Sequence, residues 1–370
     1  MDQIRAQFYE KLKQTISDKF AQQLIYSYSI SRSAAFAAQG LFLPVVDLLL
    51  SGQKKSPPKN YFQHLKDALP KIEKLLLQDA ENIKNKIYPA SVLSPENLIR
   101  HSLRIPSIIK DSVLASDRRR SKVHDYFDQN AQAFLQDLPE YYRRNFHFQT
   151  SGYLGEDSAE LYEHQVEILF SGAADAMRRL ILPEISIFLN SRNLPLDGEG
   201  LRFLELGSGT GRLTRFVSLA FPKARISCVD LSDVYLNQAQ KKLKNLKRID
   251  YIQSAAEKLP FKDETFDLVY SCFLFHELPD YVRNEVLVES YRVLKNNGMI
   301  GAVDSIQIGD DADLQWALDQ FPQDFHEPFY KNYIQKSLSD YWLDVGLKNV
   351  QSRTGFLSKV VTGLKNQTDE

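Results

Sequence analysis

The spacing of apolar residues divides the chain into two parts of different character. Up to about residue 193, apolar residues recur every three or four positions, which is the period of an α-helix. One such run consists of Leu65, Leu69, Ile72, Leu75 and Leu76. Because Pro70 lies inside this run, we expect a kink or a new helix start there. The first part is therefore predicted to be a largely helical domain over residues 1–192.

The second part, residues 193–370, begins with a stretch of turn residues at 193–200 and then alternates short apolar runs with helical ones. The predicted strands are Leu201–Leu206, Arg225–Asp230, Ile249–Gln253, Phe266–Ser271 and Met299–Asp304. The predicted helices are Gly211–Phe221, Asp233–Leu246 and one around Val282–Leu294. Alternating strands and helices are typical of a parallel α/β sheet. Two further runs, 347–353 and 356–364, predict a C-terminal antiparallel pair on a Rossmann-like, mainly parallel sheet.

Composition and charge exclude several classes of protein. The 370 residues are 43% hydrophobic and 25% charged, as in ordinary globular proteins, and the net charge of −1 argues against nucleic-acid binding. With two cysteines in no metal-binding pattern, we predict no metal site. The longest apolar run, Leu41–Leu50, is interrupted by Pro44 and Asp47 and is shorter than the ~20 residues of a membrane span. We therefore expect a cytoplasmic protein.

A glycine-rich loop lies between the first predicted strand and helix of the α/β part. It reads Leu204-Glu-Leu-Gly-Ser-Gly-Thr-Gly211. Glycines let a ligand approach the backbone, and the following helix offers free N–H groups. The dinucleotide fingerprint GxGxxG would need glycine where Arg212 stands. Glu205 would repel a pyrophosphate and suits an ammonium group, while a tight turn without a ligand is the structural alternative.

The segment Glu205–Gly211 resembles motif I of the class I S-adenosylmethionine-dependent methyltransferases. This resemblance implies S-adenosylmethionine as cofactor, with Glu205, Gly207, Gly209 and Gly211 around it. It also implies that Asp230, followed by Leu231, accepts the ribose hydroxyls. The alternative role for Asp230 is to cap the next helix.

Three further segments resemble the same family in the correct order. Ala255–Phe261 is similar to the family's DAExLPF segment, but Ala255 replaces the aspartate, so backbone groups near Ala256, or Glu257, would have to contact the adenine. Phe266–Leu278 is similar to the fourth strand and its loop, which places Ser271 at the reaction edge. Tyr291–Gly298 resembles the turn before the fifth strand. The residues of these motifs most resemble those of the methyltransferases of ubiquinone and menaquinone biosynthesis.

Two histidines and one aspartate are candidates for the catalytic groups. His276 follows the fourth strand, and its ordinary pKa near ~6.5 suits a general base. His326 lies in an aromatic-rich stretch beyond the fifth strand, and Asp304 could orient either imidazole. The alternatives are that His276 packs against the next helix, that His326 is a surface residue, and that Asp304 ends a strand.

The helical part is expected to supply a lid, a substrate-binding surface or a homodimer contact. The segment Tyr141–Tyr153 is rich in aromatic residues. We expect Tyr153 and Tyr162 to contact the cofactor or the pocket, and Arg178 to bind the cofactor carboxylate. Bracing between the domains is the alternative. The basic run Arg118–Lys122 is predicted to be a solvated helix segment.

These observations predict a methyltransferase that acts on a small-molecule acceptor. A nucleic-acid or protein methyltransferase is the main alternative, but Ser271-Cys-Phe-Leu stands where an Asn/Asp-Pro-Pro-Tyr motif would be expected. A catalytically silent scaffold that binds S-adenosylmethionine is a further alternative. An oxidoreductase is disfavoured by Glu205 and Arg212.

Overall fold

A computed structural model describes residues 2–51, 60–94, 98–121, 123, 125–127, 129–132 and 135–366. Its α-helices are α1 Asp2–Ser51, α2 Tyr61–Lys84, α3 Leu98–Ser121, α4 Gln129–Gln132, α5 Glu156–Leu169, α6 Ala174–Arg178, α7 Ile181–Ser191, α8 Arg212–Ala220, α9 Asp233–Leu243, α10 Asp280–Val293, α11 Gln315–Asp324, α12 Tyr330–Tyr333 and α13 Leu338–Asp344. Short 3₁₀ turns span Ala90–Leu93, Leu135–Asp137, Glu140–Tyr142, Phe146–Phe148, Gly152–Leu154, Phe275–Glu277 and Ala312–Leu314.

Within the described residues, seven strands form one sheet in the order β3-β2-β1-β4-β5-β7-β6. The strands are β1 Arg202–Leu206, β2 Arg225–Asp230, β3 Ile249–Gln253, β4 Phe266–Cys272, β5 Leu294–Ser305, β6 Lys348–Gly355 and β7 Ser358–Leu364. Strands β1 to β5 pair in parallel, whereas β7 is antiparallel to both β5 and β6. The predicted Rossmann-like, mainly parallel sheet with an antiparallel C-terminal pair is therefore confirmed.

Burial on both faces explains why the inner strands are apolar throughout. Phe203 and Leu204 of β1 and Leu268 and Val269 of β4 have no exposed surface. A parallel strand covered by helices on both faces reads as a continuous apolar run, as these do. Because the strands run in parallel, β1, β2, β4 and β5 all end at one edge of the sheet, and the site is built there.

The N-terminal region is helical, as predicted, and packs on the α/β part. Helix α2 continues through Pro70, so the predicted new helix start is absent from this described helix. Its buried face is formed by Ala68, Ile72, Leu75 and Leu76. None of the described helices contains a stretch long and apolar enough to cross a bilayer.

One hydrophobic core crosses the predicted domain boundary. It joins Ile72 of α2, Met177 of α6 and Ile181 of α7 to the strands of the sheet. The contact between α7 and β5 is close, because a Cβ atom on Gly301 would lie 3.1 Å from Ile181 Cδ1. Helices α6 and α7 therefore form part of the layer that covers the sheet.

The basic run at the end of α3 differs in part from the solvated segment that we predicted. Arg118 is part-buried, and its Nε donates a hydrogen bond to the Phe148 carbonyl oxygen at 2.9 Å. The guanidinium of Arg119 lies over the Phe148 ring. These arginines thus hold the segment after Tyr142 in place, while Lys122 lies outside the described residues.

Candidate functional site

The loop between β1 and α8 uses its glycines for two different purposes. Gly209 has a φ of +53°, and an added Cβ atom would meet only Tyr235 Cδ1 at 3.9 Å, on the side where a cavity opens. Gly211 has a φ of +78°, but its Cβ atom would lie 2.7 Å from Leu243 Cδ1 and 3.1 Å from Ala239 Cβ. Gly209 therefore leaves room for a ligand, whereas Gly211 lets the loop approach α9.

A cavity at the carboxyl edge of the sheet holds about 930 Å³ of space, including its open mouth. The predicted cofactor residues that line it are Glu205, Gly207, Gly209, Asp230, Leu231, Ala256, Glu257, Tyr153 and Arg178. Gly211 and Ser271 are not among its lining residues within the described chain. Ser271 is buried in the sheet at the end of β4.

Glu205 is a buried carboxyl group in the cavity wall. Its Oε2 accepts hydrogen bonds from Thr214 Oγ1 at 2.7 Å and from the Tyr270 hydroxyl at 2.9 Å. Burial raises its pKa to about 8, although both hydrogen bonds oppose the shift. A cation in the cavity would favour the ionised form of this carboxyl group.

Asp230 is held at the end of β2 by backbone donors. Its Oδ2 accepts from the Gly209 N–H at 2.7 Å, and its Oδ1 accepts from the Ser232 N–H at 2.9 Å. Burial raises its pKa to about 6, against the effect of these hydrogen bonds. The side-chain cap of α9 is Ser232, whose Oγ accepts from the Tyr235 N–H at 3.1 Å. Asp230 is thus an oriented acceptor in the cavity wall.

Glu257, in the segment after β3, offers a further acceptor in the cavity wall. Its Oε1 accepts a hydrogen bond from the Tyr141 hydroxyl at 2.7 Å. Its Oε2 is buried and has no hydrogen-bond partner among the described residues. A buried polar atom without a partner is costly, so this oxygen fits a ligand that brings an N–H donor.

Aromatic residues from the N-terminal part cover the cavity. Tyr142, Phe146, Tyr153 and Tyr162 line it, and their rings contact one another. Ser232 Oγ donates a hydrogen bond to the Tyr153 carbonyl oxygen at 2.7 Å, which ties this cover to the end of β2. The N-terminal part therefore limits access to the site.

Arg178 lines the cavity but already has acidic partners. Its guanidinium lies 3.0 Å from Glu163 Oε2 and 3.4 Å from Asp175 Oδ1. Glu163 also lines the cavity and accepts from the Thr210 hydroxyl. The sequence analysis did not single out Glu163.

His276 and Asp304 form a buried pair at the end of β4 and β5. His276 Nδ1 lies 2.6 Å from Asp304 Oδ1, and Asp304 Oδ2 accepts from the Phe275 N–H at 2.7 Å. Burial would lower the pKa of His276, but Asp304 outweighs it and raises the pKa to about 9. His276 is not among the described residues that line the cavity, whereas the next residue, Glu277, is. Asp304 thus holds the His276 ring, and a catalytic role for the two residues stays a prediction.

His326 lies away from the cavity lining. Its Nε2 is 3.3 Å from Asp125 Oδ1, and its ring packs on Phe148. The adjacent Glu327 instead points toward His147, with Oε1 at 3.0 Å from Nδ1. His147 in turn has its Nε2 3.7 Å from Glu277 Oε1. The sequence analysis did not single out these three residues, although two of them lie in segments that it quoted.

The fold and the cavity together define a nucleotide-type ligand site at the carboxyl edge of a Rossmann-like sheet. Residues 203–298 match the family model described as "Methyltransferase domain". This part of the chain is a methyltransferase domain, in agreement with the resemblance to the class I S-adenosylmethionine-dependent family. The predictions of the enzyme class and of S-adenosylmethionine as its cofactor are confirmed at this level.

Curated relatives show the same similarity over part of their length. The ubiquinone/menaquinone biosynthesis C-methyltransferase UbiE of Klebsiella pneumoniae is 32% identical over 166 residues, which are 42% of this chain and 62% of that protein. The protein of the same name from Pasteurella multocida is 35% identical over 106 residues, or 28% of this chain and 39% of that one. The chain thus matches less than two thirds of the length of these relatives.

Solved methyltransferase structures resemble the chain at low sequence identity. A SAM-dependent methyltransferase from Aquifex aeolicus is 21% identical, with a TM-score of 0.35, and the match covers 47% of this chain and 87% of that one. Phosphoethanolamine N-methyltransferase 2 from Haemonchus contortus, in complex with S-adenosyl-L-methionine, is 16% identical, with a TM-score of 0.39. That match covers 50% of this chain and 53% of the other.

Proposed function

We propose that this protein transfers a methyl group from S-adenosylmethionine to a small-molecule acceptor. The observation that carries the proposal is the covered cavity at the carboxyl edge of the sheet, where Gly209 leaves open space between Glu205 and Asp230. The methyltransferase domain match supports the cofactor. The aromatic cover supports a small acceptor, because a macromolecule would need an open approach to the reacting atoms.

The residues of the cavity fit the chemical groups of the cofactor. Glu205 would face the ammonium group, and Asp230 would accept the ribose hydroxyls. Glu257 Oε2, buried without a partner among the described residues, would accept the adenine amino group in place of the aspartate that Ala255 replaces. Arg178 would bind the cofactor carboxylate while its guanidinium keeps its ion pairs with Glu163 and Asp175.

Four further predicted cofactor residues would pack on the cofactor or support the cavity wall. Leu231 and Ala256 would pack on the bound nucleoside from the walls of the cavity. Gly211 would hold the loop against α9, and Ser271 would support the end of β4. Neither needs to touch the cofactor for the loop to bind it.

When bound, S-adenosylmethionine supplies a methyl group on a sulfonium, which is already a strong electrophile. The protein then has to exclude water and hold the acceptor in line with the methyl carbon. The aromatic cover performs the first task. Asp304 and His276 fix the loop after β4, so that Glu277 faces the cavity. His326 would act from outside, by supporting the segment that carries Glu327.

Isothermal titration calorimetry with S-adenosylmethionine tests the cofactor assignment. We expect stoichiometric binding to the unmodified protein and none to Gly209→Val, because the valine would occupy ligand space. The matched control is Gly200→Val, which also places valine at a positive φ, +76° against +53° at Gly209, with no described atom within 4 Å of its added Cβ. Gly200 precedes β1, at the opposite edge of the sheet.

Two results would contradict the cofactor assignment. One is unchanged affinity in Gly209→Val, which would remove the loop from the binding site. The other is stoichiometric binding of a nicotinamide dinucleotide in place of S-adenosylmethionine. Equal loss of binding in both glycine variants would show that backbone strain, and not occupied ligand space, is the cause.

A further inference from the structure

Three potential metal-binding side chains converge beside the cofactor cavity. His147 lies in the 3₁₀ turn Phe146–Phe148, Glu277 follows β4, and Glu327 follows α11. One donor atom from each side chain lies within 4.8 Å of the others. The three side chains expose only 14%, 13% and 0% of their surface. Three separate parts of the chain thus bring an imidazole and two carboxylates together in the interior.

Glu327 is the member of this group whose buried position is least explained by its neighbours. Neither of its carboxylate oxygens accepts a hydrogen bond from the described residues, and His147 Nδ1 also has no hydrogen-bond partner there. His147 Nδ1 and Glu327 Oε1 are 3.0 Å apart, but their orientation does not form a hydrogen bond. A buried carboxylate normally has donors or a metal ion to offset its lost hydration. The two atoms are therefore placed to share a cation.

The backbone that carries His147 is strained. His147 has a φ of +56° and Phe148 a φ of +57°. Residues other than glycine rarely adopt such positive values. Arg118 holds the turn through its hydrogen bond to the Phe148 carbonyl oxygen. Strain of this kind persists where the surrounding structure enforces it, and it is concentrated at ligand-binding and catalytic sites. The strain is thus a second reason to ask what His147 binds.

We propose that His147, Glu277 and Glu327 bind a divalent transition-metal ion such as Zn²⁺ or Mn²⁺. An imidazole with two carboxylates is a donor set that suits these ions. Three protein ligands leave a coordination position open, as in catalytic zinc sites. The sequence pattern predicted no metal site because the three ligands lie far apart along the chain and in no recognised spacing.

Glu277 belongs both to the proposed metal site and to the wall of the cofactor cavity. It lines the cofactor cavity and accepts a hydrogen bond from the Tyr153 hydroxyl. A metal ion held by Glu277 is therefore next to the acceptor end of the cavity, where its open position would take an oxygen donor of the acceptor. This assignment of the acceptor rests on the proposed function, whereas metal binding itself does not.

The test is a titration of the untagged full chain, treated with a chelator and dialysed, with Zn²⁺ and with Mn²⁺ in the absence of cofactor. We expect one site per chain by calorimetry and a visible absorption spectrum on addition of Co²⁺. At a metal concentration of 100 times Kd, the unfolding equilibrium should shift about 100-fold toward the folded state. Absence of a stoichiometric site for these ions would overturn the proposal and would leave a protonated His147 that bridges two carboxylates.

Substitutions of the proposed ligands test whether these side chains hold the metal ion. His147→Gln and Glu327→Gln should each weaken metal binding by about 100-fold or more, beyond what loss of an outer partner causes. The control is His64→Gln in α2, an imidazole that stacks on Trp316 outside the cluster. Metal affinity that is unchanged in both cluster variants would overturn the assignment.

Cofactor titrations keep this proposal separate from the proposed function. We expect His147→Gln to bind S-adenosylmethionine like the unmodified protein, which also reports that the variant is folded. A protein that binds metal at this cluster but no S-adenosylmethionine would refute the proposed function alone.

Discussion

The ionisation of Glu205 gives a prediction that links the cofactor to pH. Its carboxyl group is buried, and its pKa without ligand is raised to about 8. If the cofactor ammonium binds only the ionised form, protonation competes with binding below that pH. Each pH unit below 8 should then weaken the affinity about tenfold, since one pKa unit corresponds to about 1.4 kcal/mol. The affinity for S-adenosylmethionine should therefore increase as pH rises from 6 to 8.

The assay is calorimetric titration with S-adenosylmethionine between pH 6 and pH 9, on the unmodified protein and on Glu205→Gln. The variant cannot titrate, so the part of the pH slope that disappears belongs to Glu205, and titration of the cofactor itself cancels in the comparison. Near pH 8.5 the variant should bind ~30-fold more weakly or worse, the effect of removing one member of a buried charge pair. Identical slopes in both proteins would refute the role of Glu205.

The same substitution has the opposite effect on the protein without ligand. Since the folded pKa of Glu205 is above its ordinary value of 4.5, the folded state binds the extra proton, and stability falls as pH rises from 4.5 through about 8. The loss is about 1.4 kcal/mol for each pH unit in that window. Glu205→Gln should therefore melt at a higher temperature than the unmodified protein at pH 9 and near the same temperature at pH 4.5. A lower melting temperature at pH 9 would contradict this account.

Three further substitutions test other parts of the account. Glu257→Leu should weaken S-adenosylmethionine binding about tenfold, because a buried acceptor is lost, and calorimetry showing unchanged affinity would remove Glu257 from the adenine site. His276→Ala should lower the transfer of labelled methyl groups into a metabolite extract more than it lowers cofactor affinity, whereas equal losses would place His276 with the cofactor residues. Asp79→Ala should reduce the free energy of unfolding in urea by ~3–5 kcal/mol, because it leaves the buried guanidinium of Arg179 without its partner at 2.7 Å; a loss below ~1 kcal/mol would contradict that estimate.

The α/β part could be predicted closely because its signals are local. Strands β2 and β3 have the predicted bounds, and β1 and β4 differ by one residue. Strand β5 is longer than predicted and begins at Leu294 rather than Met299. Asn297 takes a φ of +63° within it, and the pairing with β4 shifts register near its start. The sequence Asn296-Asn297-Gly298 predicts a turn, and these residues lie unpaired between Leu294 and Met299, where the Asn297 N–H donates to the Lys365 carbonyl oxygen at 2.9 Å.

The helical part was less predictable because packing decides which face is buried. Leu69 belongs to the apolar run that predicted α2, yet it is 59% exposed, while Ala68 beside it is buried. Pro70 is also exposed, so the hydrogen bond that it cannot donate is lost on the solvent side. The helix therefore continues through a residue that often ends one.

The glycine loop and Asp230 could be found from sequence because their spacing along the chain reflects one strand–turn–helix unit. The arrangement of side chains around Glu277 could not, because it depends on contacts between distant segments. The sequence singled out His326, but it is the neighbouring Glu327 that turns inward to His147. It also singled out His276, whereas the neighbouring Glu277 lines the cavity.

A crystal structure of the full chain with S-adenosylhomocysteine tests the central claim most directly. We expect density for the ligand in the cavity between the loop at Gly209 and the aromatic cover, with its amino group at Glu205, its ribose at Asp230 and its sulfur facing Glu277. Ligand density at another place on the protein, or an empty cavity under saturating ligand, would contradict the account.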